Sequence, residues 1–529
     1  MTSTTYKFTG PNVKYSSETI EADYLYTTTR VRQETGSDGS TEYVVEPVEH
    51  RLAISTSRHV PRLGLMLIGW GGNNGSTYTA ITLANKHKLS WETKDGTFEP
   101  NYYGSIVKSS TMCLGLMAGS DGNDVKVCAP LGDVLPFVDP NDIEIGGWDI
   151  SKASMVESMK RAKVIDLDLQ RKLAPYMKDM HPKPSVFDPD YVSPSQIQRA
   201  DNIIPGTLKQ QVEQIRKDIR DFKSSKKVDK VIVMWMASTE RYMDINLPTA
   251  KDSKELLKAI DKNDRSNVPP SVVFALASIE EGCTFINGSP QLTLVDSVIQ
   301  LAEQKGVFVA GDDLKTGQTK VKSALVEFLI GSGIKPVAIV SYNHLGNNDG
   351  LNLDSQAQFR SKEISKSQAV DELINSNQAL YKPGEKIDHC IVIKYIPFVE
   401  DSKRALDEYT SRICMNGLNT LMIYNTCEDS LLAVPVMFDL VLLSELFSRI
   451  KVKCCSHGDD SYHTFQTILS ALGFLLKAPL TQKKEPLING LAAQKRCIEN
   501  LIRACLGIPP ENNMYLEHKF NLACHFKNK

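Results

Sequence analysis

The sequence lacks any C-x-x-C pair, and its eleven cysteines are odd in number. It therefore suggests neither a zinc ribbon nor a closed disulfide framework. Reduced thiols of this kind lead us to expect a cytoplasmic protein. A secretory leader is not legible, since Met1 to Thr9 carry Lys7 and no apolar stretch. The most apolar window, Leu431 to Leu443, is interrupted by Pro435 and Asp439 and falls short of the roughly 20 residues that cross a bilayer. An excess of charge is missing too: Lys and Arg total 61 against 63 Asp and Glu, a net −2. Neither nucleic acid nor a membrane is an expected partner, and any anion site must be local. With 25 Pro and 32 Gly in 529 residues the chain is not of low complexity. Its length suits roughly three to five domains, or fewer large α/β units.

The short Gly36 to Ser40 patch reads as a turn in a polar N-terminal segment. From Gly64 onward, short apolar runs at Leu65 to Ile68, Val228 to Met234, Val307 to Ala310 and Val337 to Val340 alternate with stretches suited to helices, the texture of a parallel α/β sheet. In Leu208 to Lys223, Val212, Ile215, Ile219 and Phe222 recur at helical spacing, which predicts a packing helix. Beyond Ser341 the pattern changes. Asn343 to Gly350 reads as a loop and Phe359 to Asn375 as a polar helix; strands follow at Cys390 to Tyr395 and Thr420 to Tyr424. Two apolar helices, Val436 to Ile450 and Thr464 to Lys477, then close the core.

Gly69-Trp70-Gly71-Gly72-Asn73-Asn74-Gly75-Ser76-Thr77 follows one such run and precedes a helix expected over Thr79 to Lys88. Strand, glycine turn and helix make an anion seat, because the backbone can approach a pyrophosphate and free N–H groups point at it. The spacing departs from G-x-G-x-x-G, with Asn74 where the third glycine belongs and Gly75 one residue late. An acid for the ribose hydroxyls is usual about 20 residues on. Glu92 and Asp95 fall there in a loop-like stretch, and Asp149 is another candidate.

Gly311-Asp312-Asp313 and Ser341-Tyr342-Asn343 end two of the apolar runs, where ligands of open parallel sheets bind. The paired aspartates suit a metal or, equally, the cap of the next helix. Lys362 and Lys366 stand four apart, either framing an anion or lying on a solvated helix face. Lys477 follows Leu472-Gly473-Phe474-Leu475-Leu476. Beside apolar surface it either loses its proton more readily or reaches past that surface to water.

With Asn287-Gly288-Ser289-Pro290-Gln291, Ser341 to Gly350, Phe359 to Ser367 and Cys427 to Leu432 added to the glycine loop, the chain closely resembles the myo-inositol-1-phosphate synthase family from about Phe8 to His518. The resemblance implies an α/β fold: a Rossmann-type parallel sheet domain with an inserted α+β catalytic and tetramerisation domain. The corresponding boundaries are 1–318, 319–433 and 434–529. It implies an NAD-dependent isomerase converting D-glucose 6-phosphate to 1D-myo-inositol 3-phosphate, for inositol and phosphatidylinositol biosynthesis. In that family NAD takes hydride from C5, the ketone acidifies the C6 proton, the enolate attacks the C1 aldehyde, and NADH returns the hydride.

The resemblance also implies site residues. Lys362, Lys366, Lys403 and Lys477 form the catalytic and phosphate-binding set, with Lys362 and Lys477 moving protons and Lys366 and Lys403 holding phosphate or polarising an oxygen. Cofactor and substrate contacts fall on Gly71, Gly72, Asn73, Asn74, Gly75, Asp149, Ser185, Gln196, Arg199, Ala237, Ser238, Thr239, Gly288, Ser289, Asp313, Thr316, Asn347, Asn348, Asp349, Asp401, Asp429 and Ser430. No divalent metal is demanded. A homotetramer is expected. Ser238 stands where the family has Asn, Leu292 where it has Asn, Asp296 where it has Pro, Thr316 where it has Ser, and Glu400 where Gly is common, an anion expected to crowd the phosphate. A net sugar-phosphate dehydrogenase and a non-catalytic relative are the competing readings.

Overall fold

A computed structural model describes residues 6–367, 370–456 and 461–520. At its centre lies a six-stranded, all-parallel sheet formed by β1 (Leu63–Ile68), β2 (Glu144–Asp149), β3 (Lys183–Pro184), β4 (Lys230–Trp235), β5 (Thr284–Asn287) and β6 (Val309–Ala310). Their spatial order is β3-β2-β1-β4-β5-β6, the doubly wound dinucleotide-fold order with its reversal between β1 and β4. All six residues of β1 are buried, because helices cover both faces of a parallel sheet and leave no wet side. One cover is α2 (Leu208–Lys226), started by a capping box on Thr207 and Gln210, and it buries Val212, Ile215, Ile219 and Phe222 as its periodicity predicts.

The run at Val337 belongs to a different sheet from the one its sequence suggested. It is part of β7 (Lys335–Leu345), which pairs parallel with β8 (Asp388–Tyr395) and antiparallel with β9 (Ser402–Arg412), itself antiparallel to β10 (Leu418–Glu428). A four-residue apolar run carries no sign of its partner's direction. Helices α3 (Gly317–Gly331) and α5 (Asp429–Phe447) connect this sheet to the first. The boundaries expected at 318/319 and 433/434 therefore fall inside continuous helices rather than in linkers.

Other local expectations are corrected. The first glycine-loop helix, α1 (Asn73–His87), starts inside the loop. Asn343 ends no strand; β7 runs on to Leu345, and Asn348–Leu353 is helical, started by the Asn347 side chain on the Gly350 N–H. The polar helix is two, α4 (Gln356–Ser367) and Asp371–Ser376, with 368–369 outside the described residues. Thr464 to Lys477 is no helix: only a 3₁₀ turn at Ser470–Leu475 interrupts an extended path. Apolar residues without 3.6 periodicity had mimicked a helix there, and tertiary pairing decided otherwise. Helix α5 begins seven residues earlier than expected and carries Pro435 within it. By length and composition it could cross a membrane, but its residues form the core beneath α1, where Phe438 stacks on Tyr78 at 4.1 Å.

At the N-terminal side, strands Thr19–Thr35 and Thr41–Ser57 make a long hairpin whose turn is the Gly36 to Ser40 patch. Strand Ile450–Cys454 adds to it antiparallel, so segments from either side of the central sheet in sequence share one smaller sheet.

Candidate active site

The glycine loop leaves β1 through Gly69, at φ +84°, where a Cβ would stand 2.7 Å from the Ala237 backbone. Only glycine permits that approach. Gly72 precedes α1 without any side-chain cap, which leaves the first N–H groups of the helix for an anion. Gly71 and Gly75 do not line the cavity that opens here. Gly71 packs against Asp149 and Ser158, its carbonyl held by Arg161; Gly75 packs on the Trp70 carbonyl, with no room for a Cβ. Both glycines shape the loop from behind.

Asp149 ends β2, beside β1, buried at the cavity wall. Burial raises its pKa against the pull of the Ser151 N–H, Arg199 and Arg161. Glu92 and Asp95 lie on and beside a small hairpin, Trp91–Thr93 with Gly96–Phe98, outside the cavity. Ser185, Gln196, Arg199, Ala237, Ser238, Thr239, Gly288 and Ser289 line the same wall. Asn348 Nδ2 donates to Gln196 Oε1 at 3.0 Å, and Ser238 Oγ donates to it at 3.3 Å. A short serine at 238 thus still belongs to the network that joins the two sheets.

The far end of the cavity gathers the lysines. On α4, Lys362, Ser365 and Lys366 fall at i, i+3 and i+4 and so share one face. Ser361 Oγ donates to the Glu240 carbonyl and Gln358 Nε2 to that of Tyr191, docking the helix on the parallel sheet. The solvated-face reading of this pair is overturned: Lys362 is 9% and Lys366 3% exposed. Lys477 arrives by an extended segment, Ala478 exchanging backbone hydrogen bonds with Asp312. Asp313 Oδ1 accepts from Lys362 Nζ at 3.0 Å and from Lys477 Nζ at 3.3 Å; its Oδ2 accepts from Ser365 Oγ at 2.8 Å. Neither aspartate of the pair caps a helix, since α3 starts at Thr316 without a side-chain cap. Asp312 turns instead to Asn287 Nδ2 at 2.7 Å, and burial holds its pKa well up.

The charges then separate. Burial would raise Asp313, but Lys362 and Lys477 outweigh it and bring its pKa down to about 2. Burial would lower Lys362, but Asp313 and Asp349 outweigh it and hold the ammonium charged. Lys477 falls to about 7, through burial first and then the Lys362 and Lys403 charges. Lys366 is driven far down by burial and four neighbouring lysines, and among the described residues its ammonium donates to amide oxygens, Asn343 Oδ1 at 3.1 Å and Gln318 Oε1 at 3.4 Å. Lys403 faces Asp429 at 3.6 Å.

Asp401 lies behind the wall, accepting from Asn73 Nδ2, Asn347 Nδ2 and the Ser430 N–H and Oγ. It ties the glycine loop, the end of β7 and the start of α5 together. Glu400 does not crowd the site: its carboxylate points outward to Lys163 at 2.6 Å. Its backbone, at φ 48° and ψ −124°, occupies a region glycine favours. Residues not singled out in the sequence also take part. Ser365, Gln318 and Glu240 carry no chemistry that distinguishes them from ordinary polar residues, although Ser365 lay within a motif string; Asn343, named at a strand end in the sequence, meets Lys366.

One cavity runs from the glycine loop, at Gly69 and Gly72, to Lys362, Lys366, Lys403 and Lys477. A doubly wound sheet with an amine cluster at one end of its cleft defines a dinucleotide-fold enzyme whose site suits an anionic small molecule. The family model described as Myo-inositol-1-phosphate synthase, an NAD-binding family, matches residues 63–503, and the chain belongs to that family. It is 54% identical to inositol-3-phosphate synthase 1 of Homo sapiens, covering 96% of this chain and 89% of that one. It is 52% identical to inositol-3-phosphate synthase of Dictyostelium discoideum, covering 97% and 98%. The crystal structure of inositol-3-phosphate synthase from Caenorhabditis elegans superposes with a TM-score of 0.93 at 44% identity, covering 98% of this chain and 99% of that one.

Proposed function

We propose that the protein converts D-glucose 6-phosphate to 1D-myo-inositol 3-phosphate, with NAD as its resident coenzyme. The observation that carries this reading is that the glycine loop and four lysines open onto one cavity. The fit to NAD rests on the uncapped start of α1, the backbone-close glycines and Asp149 at the end of β2. When bound, NAD supplies a reversible hydride acceptor.

The chain's own residues supply the rest. Lys362, held charged by Asp313 and Asp349, stabilises negative charge as it develops on sugar oxygens. Lys477, with a pKa of about 7, is partly neutral at working pH and takes and returns a proton. This assigns proton transfer to Lys477 and makes Lys362 a fixed cation rather than a second base. Lys366, held by the neutral amide oxygens of Asn343 and Gln318, takes up a proton as a phosphate arrives, with Lys403 beside it. Leu345, Leu353 and Ile393 line the cavity and limit water around the developing anion.

A homotetramer belongs to the same proposal. It is supported by the apolar outer strand β10 and its preceding turn, where Met415 is 93% exposed and Leu418, Met422 and Tyr424 are uncovered, neighbouring apolar side chains of the kind that mark a protein interface. The ten described cysteines are all free, which supports a cytoplasmic enzyme serving inositol and phosphatidylinositol biosynthesis. The test is to supply purified protein with glucose 6-phosphate and NAD and to follow inositol phosphate and NADH together. Inositol phosphate without NADH accumulation is expected. Steady NADH accumulation would instead establish a net dehydrogenase.

A further inference from the structure

The hairpin Thr111–Ala118 with Asp124–Pro130 lies apart from the active site, contributing no residue to the cavity. Its partners run Thr111 to Pro130, Met112 to Ala129 and Cys113 to Cys128 without a break; the irregularity comes only after Cys113. Met112 and Ala129 are buried. The cysteines, one residue on, therefore stand together on the opposite face of the ribbon. Directly opposed residues of an antiparallel pair are roughly 4.5–5.5 Å apart at Cα, inside the roughly 4.4–6.8 Å that a disulfide spans. Among the described cysteines no other two oppose each other in a strand pair: Cys390 faces Val340, Cys427 faces Lys403 and Cys454 faces Leu52.

We infer that Cys113 and Cys128 form a reversible thiol–disulfide site, oxidised by a low-molecular-weight disulfide. The two thiols are unequal in the way such a step needs. Cys128 is exposed and Cys113 only partly so. Cys128 thiolate attacks the small disulfide and releases one small thiol, leaving a mixed disulfide. Cys113, deprotonated, attacks the Cys128 sulfur and releases the second. One disulfide is consumed, one forms in the protein, and two thiols leave with the two protons. The new bond closes a ribbon already fastened at three points: Lys126 to Glu511 at 2.8 Å, His518 to Asp124 at 3.2 Å, and Arg503 on the Cys113 carbonyl. The strands are held in register before oxidation, so the second attack is intramolecular and favoured.

The experiment is to incubate the folded, full-length protein with glutathione disulfide and glutathione at several ratios, quench with acid and alkylating agent, and map the peptides. The expected product joins Cys113 to Cys128, exceeds the Cys128 glutathione adduct by about tenfold, and is reversed by dithiothreitol. Cys113→Ser is expected to stop at the Cys128 adduct, and Cys128→Ser to leave Cys113 largely unmodified. Wild-type protein that stops at the Cys128 adduct, or that links Cys128 between two chains, overturns the inference. Both serine variants should keep wild-type turnover, since neither residue touches the cavity.

Discussion

Lys477 and Asp313 meet twice. The Lys477 backbone N–H donates to the Asp313 carbonyl at 2.8 Å, and its ammonium donates to Asp313 Oδ1 at 3.3 Å. A residue 164 positions away is thereby fixed to the carboxylate that also holds Lys362. The backbone contact survives side-chain change, so the charge at Asp313 can be tested without moving the segment.

Asp313→Asn should retain the fold and lose turnover by about 10²–10⁴-fold. Without the shared carboxylate, Lys362 loses its hydrogen-bonded counter-charge and keeps Asp349 and Asp429 alone, and the Lys477 ammonium loses the carboxylate oxygen that positions it. Steady-state inositol phosphate formation, with circular dichroism as the folding control, checks this. Turnover within a few-fold of wild type would remove Asp313 from the machinery. Lys362→Ala should be comparably impaired.

The pH profile of kcat/KM should show an acidic limb near 7. Lys477 is charged below its lowered pKa of about 7 and neutral above it. A base is needed in its neutral form, so activity should fall tenfold per pH unit below that point. Lys477→Arg, charged at every accessible pH, should be inactive throughout. A profile flat from pH 5.5 to 8.5 would assign the proton to another group.

Gly75→Ala should weaken NAD binding by more than about tenfold and destabilise the protein by about 1–3 kcal/mol. The added Cβ would lie 2.3 Å from the Trp70 carbonyl, backbone that cannot yield without opening the loop. Calorimetric titration with NAD and urea unfolding read the two effects separately.

Glu400→Gly should leave turnover within about twofold and raise stability. It exchanges an exposed ion pair with Lys163, worth about 0–1 kcal/mol, for relief of a left-handed backbone costing about 1–3 kcal/mol. Thermal unfolding of the variant settles the sign.

Leu418→Glu with Met422→Glu should reduce the assembled mass in light scattering, because two charges would be placed on the uncovered face of β10. An unchanged mass would move the interface elsewhere.

Much of the site was legible in the sequence because it lies in uninterrupted strings. The glycine loop is local chemistry, strand to turn to helix, and the α4 lysines share a face by arithmetic alone. The chemistry of each residue was not legible, because it depends on distant neighbours. Lys362 and Lys366 are four residues apart on one helix, yet one is held charged by Asp313 and Asp349 and the other donates to the amide oxygens of Asn343 and Gln318. Glu400 offered an anion beside the site in sequence, but its backbone turn carries the side chain out to Lys163. Lys477 was expected on a helix because its preceding residues are apolar; pairing with Asp312 and Asp313 makes the segment extended instead.

The sequence by itself determined the parallel α/β texture, the anion-binding turn and the family, since hydrophobic runs and glycine placement are properties of neighbours along the chain. Tertiary structure alone decided which sheet β7 joins, which lysine can release a proton and which of the paired aspartates holds the amines. Those outcomes depend on burial and on charges brought within a few ångströms from hundreds of residues away, and Coulomb energies and desolvation follow distance in space rather than along the chain.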